Sequence, residues 1–261
     1  MKFLIIHLLE ASAWPMEAPS PYSAFHLGLT AAGILTAFLL ARRLSRTQRP
    51  VKLLFICGLL LALSEVYKQL FLYYIVNGGH YDWWYFPFQL CSVPMYLCLL
   101  LPLLQTAWHG RIARAFYTFL QDYCLLGGVM ALAEPSSLMH PYWTLTLHGF
   151  LWHFVLIFLG LFCSMRGLGG KSRRRFLASL PLFLLCCVIA TAVNVLSHPY
   201  GNADMFYISP YYPNGQVIFH QIALAAGTLP GNLLYILSII LGAAILHWLL
   251  RASSANKVNI I

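Results

Sequence analysis

Charge is the scarcest property of this sequence. Asp, Glu, Lys and Arg make up 9% of the 261 residues, and only seven are acidic. A soluble domain carries roughly 25% charged residues, so a water-facing globule is excluded. Cysteine and histidine frameworks are missing as well. The seven cysteines, at 57, 91, 98, 124, 163, 186 and 187, sit mostly inside apolar runs and form no zinc spacing with histidine. No His-x3-His or Glu-x-x-His pair puts two ligands on one helix face, so neither a metal nor another cofactor is expected. An internal repeat is also lacking, which argues against transporters built from repeated halves. The longest connection between apolar runs covers residues 198–225, too short for a soluble domain.

Hydrophobicity is what the chain has instead, at 60% of residues. It is gathered into runs near the ~20 residues that cross a bilayer. Lipid offers nothing to satisfy backbone polar groups, so such runs are helices. The expected fold is all-α, a polytopic bundle of seven transmembrane helices at 22–42, 52–76, 86–107, 111–133, 142–165, 174–197 and 226–250. Fourteen of the sixteen Lys/Arg residues follow the first, third, fifth and seventh spans. The segments after the second, fourth and sixth, 77–85, 134–141 and 198–225, contain none. The positive-inside rule then sets the N-terminus outside and the C-terminus in the cytoplasm. The net charge of +9 is thus a topology signal, and no nucleic-acid partner is expected. Residues 1–21 read as an uncleaved interfacial segment, because His7 interrupts a short apolar run. Residues 251–261 read as a cytoplasmic tail. The aromatic stretch HPYGNADMFYISPYYPNGQ is expected to lie over the outer mouth of the bundle.

Polar groups inside spans are costly and mark candidate sites. The third span, YFPFQLCSVPMYLCLLLPLL, gathers Gln89, Cys91 and Ser92 near one end. The second holds Glu65 and Lys68, three apart and so on one helix face. The fourth holds Gln121 and Asp122, the latter expected to pair across the bundle. The fifth holds His148 and His153, and the sixth ends with Asn194. With the orientation above, Cys91 lies ~8 Å below the outer end of its span, His148 ~9 Å and His153 ~16 Å. Glu65, Lys68 and Asn194 fall in the same outer half, whereas Gln105, Gln121 and Asp122 lie toward the cytoplasm. The two histidines, five residues apart, point ~140° from each other. A cysteine and a histidine at matched depth suit a thiol nucleophile with a general base. Apolar walls would hold an acyl chain. The bland alternative is that these groups only satisfy one another.

Four segments resemble a known family. FPFQLCS at 86–92, LHGFLWHFVLIFLGL at 147–161, NVLSHPYGNADMFYISPYYP at 194–213 and EVYKQL at 65–70 are similar, in order, to segments of the YwaF-type integral membrane proteins. That resemblance covers about residues 20–250. Its eukaryotic relatives include an ether-phospholipid acyltransferase acting through a cysteine. By this resemblance the cysteine is Cys91 and the histidine is His153, with His148 as the competing match. One position departs from the pattern, since Gln89 stands where the family has histidine.

Together these features lead to an expected thiol-dependent lipid acyltransferase or acyl hydrolase of the cell membrane, acting on a phospholipid or other acyl-chain lipid. Cys91 would be the nucleophile and His153 or His148 the base. Gln89, Ser92 and Asn194 would bind substrate, and the Glu65–Lys68 pair would orient the site. The competing expectation is a non-catalytic membrane protein that binds or transports a lipid or small solute in an outer-half polar cavity.

Overall fold

A computed structural model describes residues 2–104 and 110–255. The predicted end of the third span at 105–107, including Gln105, and the tail residues 256–261 lie outside the described residues.

The described chain is helical, and six of its helices are long and apolar enough to cross a bilayer. A short helix α1 (Lys2–Ala11) precedes α2 (Ala24–Leu44) and α3 (Pro50–Phe71), whose last turn widens into a π-helix over Leu72–Val76. Next come α4 (Val93–Leu100), extended by a 3-10 turn Leu101–Leu104, and a continuous helix made of α5 (Gly110–Phe119), a π turn (Leu120–Cys124) and α6 (Leu125–Ala133). Then follow α7 (Trp143–Arg166), α8 (Arg173–Ser197), α9 (Val217–Ala226) and α10 (Thr228–Ala255). Six predicted spans coincide with these long helices to within a few residues. The short α9 lies inside what reads as a loop in the sequence.

The third predicted span is corrected. It is not a 22-residue helix: residues 86–92 are irregular and the helical part is Val93–Leu104. The prolines explain this. Pro94 is tolerated in a first helical turn, which lacks N–H partners anyway, but further inside it would clash with the carbonyl four residues back. The helix therefore starts at Val93, with Pro94 in its first turn. The regular α-helix ends at Leu100, two residues before Pro102. The half-helix runs antiparallel to α3, where Gly58 lets the backbones close up: a Cβ there would lie 2.8 Å from the Cys98 Cβ.

Among the six long helices, α7 and the continuous α5–α6 helix are equally the most buried and α10 the least. α7 packs on α2, α3, α6 and the π turn. Small residues bring the backbones together, as lipid-embedded helices require where no hydrophobic effect drives association. A Cβ at Gly160 would sit 2.6 Å from that of Leu125, and one at Gly33 would overlap the Phe154 ring. At one end, α1 lays Leu9 against Phe71, Leu72 and Leu145. The chain beyond it pairs through Pro15 with Tyr142. The outward face of α1, with Phe3, Leu4 and Leu8, is apolar and exposed.

Candidate functional site

The irregular stretch 86–92 is possible at membrane depth only if protein groups meet its backbone polar atoms, and they do. The Gln69 amide of α3 donates to the Tyr85 carbonyl (2.5 Å). The Tyr96 hydroxyl of α4 donates to that of Pro87 (2.7 Å). The Ser92 N–H donates to the Gln89 carbonyl (2.8 Å). The Trp152 indole of α7 donates to the carbonyl of Cys91 (3.0 Å). The last contact fixes Cys91 against the turn of α7 that carries His153.

This stretch walls a cavity of about 520 Å³, within the range of small-ligand sites. Glu65, Lys68, Gln89, Cys91, Ser92, His148 and His153 all line it. Both histidines line it although their spacing sets them ~140° apart around α7. Glu65 and Lys68 pair as their spacing implies, Nζ to Oε1 at 2.8 Å, and Gln69 donates to the same carboxylate oxygen at 2.7 Å. His153 Nδ1 lies 2.6 Å from the Gly149 carbonyl. A carbonyl only accepts, so Nδ1 carries the proton and Nε2 is left as the acceptor, the form a general base needs. The His148 ring leans on Trp152 (5.5 Å between centroids). Its Nε2 is buried and makes no hydrogen bond of normal geometry among the described residues. Cys91 itself is half-buried and free.

Two predicted substrate-binding residues have other engagements. Asn194 is not among the residues lining the cavity. It is fully buried and clamps Met205 both ways: Met205 N–H to Oδ1 at 2.6 Å and Nδ2 to the Met205 carbonyl at 3.1 Å. Gln89 borders the cavity, yet its amide does the same for the neighbouring residues. Nε2 donates to the Asp204 carbonyl (2.9 Å) and Oε1 accepts from the Phe206 N–H (2.7 Å).

These clamps reveal what the aromatic stretch does. Instead of lying over the bundle mouth, residues 203–209 enter the protein as a plug: Met205 is 0% and Phe206 2% exposed. Phe206 and Tyr207 hold left-handed backbones, φ 61° and 56°, which cost roughly 1–3 kcal/mol each unless the surroundings impose them. The imposing groups are Gln89, Asn194, Asn214, which donates to the Tyr207 carbonyl (2.7 Å), and Asn232, which donates to that of Ser209 (2.9 Å). Phe206 then stacks on Phe88 (5.9 Å, 10°). Phe206 and Tyr207 complete the cavity wall.

The plug has a pH-sensitive member. Burial raises the Asp204 carboxyl from 3.8 to about 6, against the opposing pull of the Ser209 N–H. A carboxyl raised on folding binds a proton more tightly in the folded state. Its stabilising contribution is therefore complete below about pH 4 and is lost as pH rises through about 6. Asp204→Asn keeps an oxygen for the Ser209 N–H and removes the charge. Melting profiles between pH 5 and 7 are expected to flatten in that variant, and an unchanged slope would rule this group out as the cause.

Several cavity residues give no signal in the sequence. His140, Glu134, Tyr207, Gln216 and Tyr235 all line the cavity. They come from segments that read as connections or as ordinary apolar helix. Burial and the nearby Lys68 ammonium depress the basicity of His140. Asp122 lies elsewhere, in the π turn. It finds its partner across the bundle in His247 of α10 (2.8 Å), and the Gln121 amide donates to its other oxygen (3.0 Å). Among the described residues no group of three or more His, Cys, Asp or Glu is placed to hold a metal ion.

Residues 20–251 match the model of a family described as the TMEM164 family. This corrects the resemblance to YwaF-type proteins, which is a different family. That resemblance rested on four short, degenerate motifs. No curated protein and no solved structure gives a significant match.

Proposed function

The chain belongs to the TMEM164 family of membrane proteins, and from that premise we propose that it transfers or hydrolyses the acyl chain of a membrane lipid through Cys91. The observation that carries this reading is the meeting of Cys91, His148 and His153 on one cavity whose remaining wall is largely apolar. Its orientation would be N-terminus outside and C-terminus cytoplasmic, with the half-helix Val93–Leu104 and the irregular residues before it making a seventh crossing of the plasma membrane. The family description says nothing of catalysis, so the chemistry is argued from the residues alone.

In the proposed reaction the Cys91 sulfur attacks the carbonyl carbon of a lipid ester. His153 Nε2 takes the thiol proton as the C–S bond forms, because an unpaired charge in an apolar wall is expensive. The C–O bond breaks, and His153 returns the proton to the leaving alcohol. The thioester is next attacked by the hydroxyl of a lysolipid, or by water, whose proton passes to His153 and then back to sulfur. An ammonium has three donors and Glu65 takes one, so Lys68 retains capacity for a phosphate oxygen. Ser92 borders the same space. Gln89 is assigned to holding the plug rather than to the substrate.

Acid-quenched intact mass spectrometry of the purified protein, incubated with a phospholipid of defined acyl chain, tests this. A gain equal to one acyl group, removed by neutral hydroxylamine and absent in Cys91→Ala, is the expected result. An adduct that persists in Cys91→Ala would refute the assignment. Tightly bound but unmodified lipid, with no transfer, would favour the non-catalytic binder. The self-neutralised Glu65–Lys68 pair is the observation on that side.

A further inference from the structure

The cavity is lined by Glu65 and Lys68 of α3 and also by Gly127, Met130, Ala131 and Ile239 of α6 and α10, and Met130 is exposed on the outer surface as well. Resting on the acyl-transfer reading, we propose that the acyl chain of a glycerolipid enters sideways from the bilayer, through a seam between α6 and α10. The two helices run antiparallel, since Asp122 meets His247 and Leu126 meets Gly242, where a Cβ would lie 3.1 Å from the leucine side chain. That contact closes the seam at its cytoplasmic side. From there toward the plug, α6 presents Gly127, Met130 and Ala131 to the cavity, and α10 presents Ser238 and Ile239.

Three facts make this stretch an opening rather than a wall. Met130 lines the cavity and is at the same time 56% exposed, so it stands where cavity and exterior meet. A Cβ at Gly127 would meet nothing within 4 Å, unlike one at Gly128 on the same helix or at Gly160 of α7, which are tightly abutted. α10 is also the least buried of the six long helices. Small side chains and a flexible methionine leave a slot that fits a polymethylene chain, and methionine adapts to irregular apolar ligands. Away from these two helices the wall carries the Glu65–Lys68 pair of α3 and the nearby His140, suited to the ester and headgroup. An amphiphile whose headgroup leads and whose tail stays in the seam would place its carbonyl between the two regions, at the level of Cys91 and His153.

Gly127→Trp fills the slot where the fold has room for it. With long-chain phospholipid in vesicles, transfer is expected to fall at least about tenfold, while turnover of a water-soluble butanoyl thioester stays within about twofold. Equal loss on both substrates by a folded variant, or no loss on either, would overturn the entry route. A second measurement does not depend on turnover. A phospholipid with a diazirine on an acyl carbon near the ester should label Leu138, Trp152 or His153, which bulk lipid does not reach because they are at most 7% exposed. That labelling should disappear in Gly127→Trp. Interior labelling that is absent from the unmodified protein, or unaffected by the substitution, would sink the proposal. If interior labelling behaves as expected but no thioester forms, the entry route stands and the acyl-transfer reading falls.

Discussion

Replacing Cys91 with alanine is expected to lower acyl transfer by at least about 10³-fold, the scale on which loss of a nucleophile registers, with little change in melting temperature. The asymmetry follows from how the residue is held. Its backbone carbonyl, not its thiol, makes the bond to Trp152, so alanine preserves the anchor and removes only the reacting atom. The histidines should then separate. Loss of a positioned general base costs roughly 10²–10⁴-fold, and His153→Ala should fall in that range. In His153 the Gly149 carbonyl holds the proton on Nδ1 and leaves Nε2 basic. His148→Ala, whose ring mainly leans on Trp152, should stay within about tenfold of the parent. Rates measured on labelled phospholipid, beside melting curves for each variant, decide this. The reverse order, with His148→Ala the severe loss and His153→Ala the mild one, would reassign the base.

Asn194→Leu is expected to release the plug. The substitution conserves approximate size but strips two hydrogen bonds from Met205, which is fully buried. Each buried backbone group left unpaired costs about 1–3 kcal/mol. The left-handed backbones of Phe206 and Tyr207 would also lose one of their supports, so the total approaches the 5–15 kcal/mol by which a typical domain is stable at all (about that range for ordinary globular proteins). Amide exchange through residues 203–209 should lose its protection while α7 keeps its own. Asn194→Asp, which still accepts from the Met205 N–H but cannot donate to its carbonyl, should show a partial loss and guards against a variant that fails to fold. Full protection of 203–209 in a folded Asn194→Leu protein would show that the clamp is dispensable.

How much of this was legible beforehand differs by feature. The long spans are written in composition, because lipid forces an apolar run to be helical whatever surrounds it. The Glu65–Lys68 pair follows from helical spacing alone, and Asp122 had to find a partner somewhere in the bundle. The break before the third span's half-helix is less legible, because proline does not decide it alone: Pro94 sits in the first turn of α4, whereas Pro181 lies inside the uninterrupted α8. Asn194 and Gln89 looked like substrate ligands because a buried amide in a span must bond to something. Local pattern does not say whether that something is a ligand or the protein's own backbone. The resemblance to YwaF-type proteins fails for a related reason: short, degenerate motifs carry little information.

By itself, then, the sequence determined an all-helical membrane protein, the positions of its six long apolar helices, and the short list of polar residues that had to be accounted for inside it. Only the tertiary structure decided which of those residues share a space. It put Cys91 on one cavity with both histidines, withdrew Asn194 behind Met205, and drove an aromatic loop inward between the helices. The reason is physical. Helix formation in lipid is a local demand of the backbone. A plug with left-handed residues is held by four amides, Asn194 and Asn214 on its own flanks, Gln89 from the irregular stretch 86–92 and Asn232 from α10. No window of sequence contains that convergence.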